Sequence, residues 1–272
     1  LQQVVATRNA PLGKLAQPSQ RLLNTIAYLQ WVQPCIDQIR VNVETALIEQ
    51  LMLAAEYKAQ TLPALVWQAM LGSVEAQAFW AHPPSLNGYP VHGAGDTVAA
   101  LEKLNLLAKR WLEGDNGANT STLERSLERY ARGDGGAILA AYALLSAQLQ
   151  RANRLVENSS TTRPLCDGGR PDARGEILNN VIRLYLIGEV QPWTAELNRR
   201  YYELWPALQQ LEATLARGEP AEYRAWRTQR DTTLDTMRAA PSRHAKVLQA
   251  LLESCGLAPT RPKSQSGDRP RT

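Results

Sequence analysis

Leu197, Tyr201, Leu204, Leu208, Leu211 and Leu215 recur at spacings of four, three, four, three and four. That is the apolar seam of a helix that packs along its whole length. The turn Arg217-Gly218-Glu219-Pro220 ends it, with Gly218 suited to a left-handed C-terminal position and Pro220 to the first turn of a new helix. Tyr223, Trp226, Arg230, Leu234 and Met237 then resume a helical period. The stretch Pro192–Ala239 therefore reads as an antiparallel helical hairpin, because so short a turn allows little else. Pro206 lacks a backbone donor in the middle of the first arm and predicts a kink or restart near Leu204 and Trp205.

The rest of the chain carries the same period. Leu22, Ile26 and Leu29 mark a first helical face, which continues past Pro34 through Ile36, Ile39, Val43, Leu47, Leu51 and Ala54. Pro34 makes this two helices or one kinked helix. A further helix is expected to start at Thr61, with Pro63 in its first turn, and to run to residue 80. Ala81 to Gly95 is an irregular loop rich in Pro and Gly, longer than most connections in compact domains. Asp96 or Thr97 caps a helix bearing Val98, Leu101, Leu104, Ala108 and Trp111. Ser121 and Glu124 have the spacing of a capping box before Leu123, Leu127 and Tyr130. Ile138, Tyr142, Leu145, Leu149 and Ala152 define a long helix to about Glu157. The run from Val181 to Ile187 is β-branched enough for a strand, but helix is preferred because no partner strand is evident. A last helix from Ser242 shows Ala245, Leu248, Leu252 and Cys255 before Gly256.

The expected fold is all-α, a multi-helix bundle followed by a smaller helical unit built on the hairpin. Residues 18–157 form the bundle, 158–175 a flexible linker, 176–257 the hairpin unit and 258–272 a disordered basic tail. Residues 1–17 are a polar leader without the continuous apolar block of a signal peptide. An upstream segment could have been removed, since Leu1 is not an initiating Met. No run approaches the length needed to span a bilayer.

Composition changes this picture little. One Phe stands beside seven Trp and nine Tyr, so most aromatic core contacts fall to rings with a polar end that wants a partner or water. The net charge of +4 sits wholly beyond residue 239, where Arg243, Lys246, Arg261, Lys263, Arg269 and Arg271 outnumber Glu253 and Asp268. A body of zero net charge argues against electrostatic nucleic-acid binding by the folded part. Cys35, Cys166 and Cys255 are far apart and form no zinc or disulfide pattern. They fit structural thiols in a reducing, cytoplasmic setting, with a Cys166–Cys255 bridge as the alternative for an exported protein.

Candidate chemistry is sparse. His82, His92 and Asp96 fall in or beside one loop, and Cys166 in another. Imidazole, carboxylate and thiol are the types that serve acid–base or nucleophilic catalysis, but their spacing matches no metal or catalytic motif. Arg238 and His244 would pair on one helix in some RNA-cleaving enzymes, yet Pro241 separates them. Gly93-Ala94-Gly95-Asp96 has no following Lys and places a carboxylate where a phosphate would sit. On the hairpin, Arg199, Arg200, Arg224, Arg227, Arg230 and Trp226 suit phosphate contact and base stacking. The seven Arg of residues 192–239 face seven acidic residues, the balance of a salt-bridged, solvated surface. No cofactor or metal is expected. The sequence is read as a non-catalytic interaction or scaffold subunit of an intracellular assembly, with protein partners. The alternatives are a nucleic-acid-associated protein using the tail and hairpin, and an enzyme centred on the 81–96 loop.

Overall fold

The computed structural model describes residues 17–40, 45–90, 94–117, 121–162, 166–167 and 170–257. Residues 1–16 of the leader, His92 and the 258–272 tail lie outside them. Among the described residues the protein is all-α apart from one antiparallel pair of two-residue strands. Its helices are α1 (Pro18–Ile39), α2 (Thr45–Met70), α3 (Val74–Phe79), α4 (Gly95–Leu112), α5 (Leu123–Ala131) and α6 (Gly135–Thr162). They are followed by α7 (Ala173–Val181), a π-helical stretch (Ile182–Val190), α8 (Gln191–Thr214), α9 (Ala221–Arg238) and α10 (Ala240–Ser254). No helix among the described residues is long and apolar enough to cross a membrane. The chain divides into two compact units: Leu1–Ala141 with Ala195–Thr232, and Tyr142–Thr194 with Thr233–Thr272. The sequence boundaries cut the chain into consecutive segments, whereas each unit takes two separated ones, with α6, α8 and α9 contributing to both.

In the first unit the predicted seams of α4, α5 and α8 are buried, whereas the first face holds only in part: Leu22, Ile26 and Ile36 are buried, Leu47 is 47% exposed, and Val43 lies outside the described residues. Leu101, Leu104, Ala108 and Trp111 of α4 pack inward, as do Leu123, Leu127 and Tyr130 of α5 and Leu197, Leu204, Leu208 and Leu211 of α8. At Pro34 the single-helix alternative holds, since α1 runs through it to Ile39. α2 likewise runs through Thr61 and Pro63 to Met70. The Thr61 hydroxyl donates back to the Tyr57 carbonyl at 2.9 Å instead of capping a new helix. Burial of Leu62, Val66, Ala69 and Met70 on the same face holds α2 together across the bond that Pro63 cannot make. α8 is continuous through Pro206, so of the expected kink or restart there, the restart does not occur. α4 begins at Gly95 with no side-chain cap, and Asp96 lies in its first turn, where a carboxylate favours the helix dipole. α5 begins at Leu123 with Thr122 at its N-cap, one residue later than the expected Ser121 cap, and the Thr122 side chain makes no cap hydrogen bond to the helix.

Gly218 lies in a short 3₁₀ turn, Ala216–Gly218, between the hairpin arms, and is not left-handed. Its requirement is steric: a Cβ there would come within 2.0 Å of the Pro63 carbonyl oxygen. The turn is thereby pressed onto α2. Gly136 is equally constrained, since a Cβ would meet the Ala81 carbonyl at 2.1 Å.

The hairpin charges also depart from a solvated face. Arg230 of α9 donates to both carboxylate oxygens of Glu212 on α8, at 2.7 and 2.9 Å. Each side chain is only 2% exposed. The Tyr223 hydroxyl donates to the same carboxylate at 2.9 Å. An equal count of acids and bases does not distinguish surface pairs from a pair locked between two arms.

In the second unit, α6 carries on past the expected end near Glu157 to Thr162. Strands β1 (Cys166–Asp167) and β2 (Arg170–Pro171) then pair antiparallel, with Cys166 opposite Pro171. Asp172 caps α7 by accepting from the backbone N–H groups of Arg174 and Gly175, both at 2.9 Å. Helix was the preferred reading for the 181–187 run, and the structure bears it out in the wider π form. Cys166 and Cys255 form a disulfide with Cα atoms 5.2 Å apart, and Cys35 is the free thiol.

Arg230→Met would leave Glu212 buried without a counter-charge and should cost about 3–5 kcal/mol of stability. Adding Glu212→Leu should recover most of the loss. Urea unfolding followed by circular dichroism measures both, and a single variant as stable as the parent would contradict the buried pair. Alkylation of the unreduced, denatured protein should label Cys35 alone, and Cys166→Ser should lower stability by about 2–5 kcal/mol. Labelling of all three cysteines without reductant would exclude the bridge.

Candidate functional site

Most of α6 beyond Ala141 presents one apolar stripe in the second unit: Leu144, Leu145, Leu149, Ala152 and Val156, interrupted by Gln148. Leu178 and Val181 from α7, Ile182, Tyr185, Leu186 and Val190 from the π stretch, and Trp193 face the same space. His244 and Leu248 of α10 complete its wall. Together they line a cleft of about 460 Å³, within the roughly 300–1,000 Å³ usual for small-molecule sites. None of the fifteen lining residues is charged.

The π geometry explains how a run without an amphipathic α-helical face can line a cleft. Bonds of the i→i+5 type widen the coil, so positions four and five apart come to share a side. Val181, Leu186 and Val190 have that spacing, as do Ile182, Leu186 and Val190. Leu184 and Ile187 are left in solvent at 57% and 51% exposure.

One lining group is both polar and buried. His244 is 6% exposed, and its Nδ1 lies 2.6 Å from Oδ1 of Asn153. An amide oxygen can only accept, so Nδ1 carries the proton and the neutral ring keeps a lone pair on Nε2. Burial lowers the imidazole pKa below its ordinary value, which keeps the ring neutral at neutral pH. The sequence offered this residue only as a partner of Arg238. The expected face of α10 is Ala245, Leu248, Leu252 and Cys255, whereas the buried positions are Ala240, His244, Leu248, Leu251 and Cys255. The spacing of four, four, three and four from Ala240 to Cys255 is the signal that could have placed His244 on the buried face.

The sequence candidates do not assemble into a catalytic set among the described residues. His82 is exposed, and Asp96 is exposed in the first turn of α4. Cys166 is held in its disulfide and offers no thiolate. Arg238 and His244 stand on different helices, α9 and α10. No group of three metal-ligating side chains occurs among the described residues. The 81–96 loop is tied by a residue the candidates omitted. The Tyr89 hydroxyl donates to Asp134 at 3.0 Å, and Arg200 donates to the same carboxylate through Nε at 2.8 Å and through a second guanidinium nitrogen. Burial first, and then the Asp134 charge, raise the Tyr89 pKa well above its ordinary value.

The arginines proposed for phosphate contact are each paired. Arg199 bridges Glu196 and Glu203, both at 2.7 Å. Arg224 and Arg227 share Glu219 at 3.1 and 2.9 Å. Burial works against the Glu219 carboxylate, but hydrogen bonds from these two arginines outweigh it and lower the pKa. The Arg230 guanidinium lies 5.0, 4.9 and 5.0 Å from the ring centres of Trp80, Trp205 and Trp226. Trp226 therefore covers an internal cation, and 38% of its surface is exposed.

No curated protein and no solved structure matches this chain. A family match spans residues 1–259 and carries the description protein of unknown function (DUF3080). A match over nearly the whole chain, across both units and their shared helices, makes this protein a member of the DUF3080 family.

Proposed function

We propose that this chain is a non-catalytic binding protein, an interaction or scaffold subunit that holds an apolar ligand in the cleft of its second unit. The observation that carries the reading is a cleft of about 460 Å³ with no charged residue in its lining. Such a surface gains by shedding water onto an apolar guest, at about 25 cal/mol per Å² buried. Apolar side chains left in solvent around the same elements, including Leu155 and Ile177 at 68% and 62% exposure, add to it. In the first unit, Trp31, Met52, Leu53 and Tyr57 on α1 and α2 are likewise exposed beside the small cluster of Tyr28, Val32 and Ile36. That suits a protein partner for the scaffold role.

The alternatives have less support. Nucleic-acid binding by the hairpin would require arginines already engaged by Glu196, Glu203, Glu212 and Glu219 to exchange those partners for phosphates. An enzyme on the 81–96 loop would require an acid–base set, and His82 and Asp96 both point to solvent. The Cys166–Cys255 bridge favours an oxidising compartment over the cytoplasmic setting inferred from cysteine number.

A solvatochromic dye should shift its emission on titration with the full chain. Ala152→Trp, which fills the cleft, and Leu186→Arg, which places a charge in it, should each weaken the dye's binding about tenfold or more while the helical circular dichroism stays unchanged. Equal dye binding by the parent and both variants would overturn the cleft reading.

A further inference from the structure

The cleft's one buried polar contact specifies the chemistry of its guest. Nδ1–H of His244 is given to Asn153, and Nε2 has no partner among the described residues. The wall therefore offers a hydrogen-bond acceptor where the rest of the lining is almost entirely apolar. A carboxylate or phosphate head carries only acceptors at neutral pH and would meet Nε2 lone pair to lone pair. It would also find no cation among the lining residues to offset its desolvation. A quaternary ammonium head has no proton to give. A hydroxyl supplies the missing donor without bringing a charge into the cleft.

Resting on the cleft reading above, we propose that the site selects an aliphatic chain with an uncharged, hydrogen-donating head, a long-chain alcohol, whose O–H donates to Nε2 of His244. The aliphatic body lies against the stripe of Leu145, Leu149, Ile182 and Leu186. The chain's own C-terminal residues are poor competitors for this place. Residues 258–272 contain no Leu, Ile, Val, Met or aromatic side chain.

The test is displacement of the solvatochromic dye from the full chain by decanol, decanoate and decyltrimethylammonium. Each is used below its micelle concentration, in mildly alkaline buffer where decanoate is ionised. Decanol should displace the dye about tenfold more tightly than either charged ligand. In His244→Phe, which keeps a ring but removes the acceptor, decanol's advantage should fall to about threefold or less while the dye still binds. Equal or tighter displacement by decanoate or decyltrimethylammonium from the parent protein would overturn the head-group proposal and leave the cleft reading standing. So would an undiminished decanol advantage in a folded His244→Phe. Failure of all three to displace a dye that Ala152→Trp excludes would overturn the long-chain ligand and leave the cleft reading standing, whereas equal dye binding by the parent, Ala152→Trp and Leu186→Arg would sink the cleft reading itself. The comparison of ligands on the parent protein does not depend on the variant's folding.

Discussion

The ion pair between Glu212 and Arg230 is the constraint on which the first unit depends. Two charges taken out of water cost several kcal/mol each, and attraction alone seldom repays that. Here the remaining demands are also met. Both guanidinium ends reach Glu212, Nε reaches Asp231 at 2.8 Å, and the Tyr223 hydroxyl fills a further acceptor site. Burial acts against the Arg230 charge, but its hydrogen bonds to Glu212 overcome this and hold the guanidinium firmly protonated. Three indole rings within about 5 Å supply the negative faces that a buried cation favours. The pair thereby sets the register of the two hairpin arms, because sliding one arm by a turn would strand a charge in the core.

Other parts of the same unit are fastened to this frame by contacts distant in sequence. Asp134, in the break before α6, receives both Tyr89 and Arg200 and so ties the long loop to the first arm of the hairpin. Thr214 donates to Asn105 at 2.6 Å and joins α8 to α4. Gly218 and Gly136 allow backbone to approach backbone where any side chain would collide. Polar contacts and close approaches, each nearly satisfied, give a helical body one arrangement where leucine seams alone would permit several.

The second unit relies on different means. Its disulfide joins the β hairpin that follows α6 to the end of α10, the two helices that carry Asn153 and His244. The covalent tie stabilises this unit by constraining its unfolded chain. The π stretch turns an apolar run into one wall of that cleft. A polar pair is placed where it orders the wall and leaves one acceptor open.

Much of the helical architecture was legible because it is local. A leucine at every third or fourth position reports a buried helical face wherever the partner lies, and the seams of α4, α5, α6 and α8 are buried as their spacing requires. Glycine and proline were less legible. Pro34, Pro63 and Pro206 sit inside helices because tertiary burial outweighs one missing hydrogen bond, and Gly218 is demanded by Pro63 rather than by its own torsion angles. The candidate site was least legible. Counting charges cannot show that Arg230 and Glu212 face each other, and spacing cannot show that Cys166 meets Cys255 across 89 residues. Nor could it show that His244 and Asn153 share a wall. Periodicity along the chain determined which faces are apolar. Only the packing of distant segments decided which charges are buried, which thiols join and where apolar faces leave a space, because those outcomes depend on the partner across the contact.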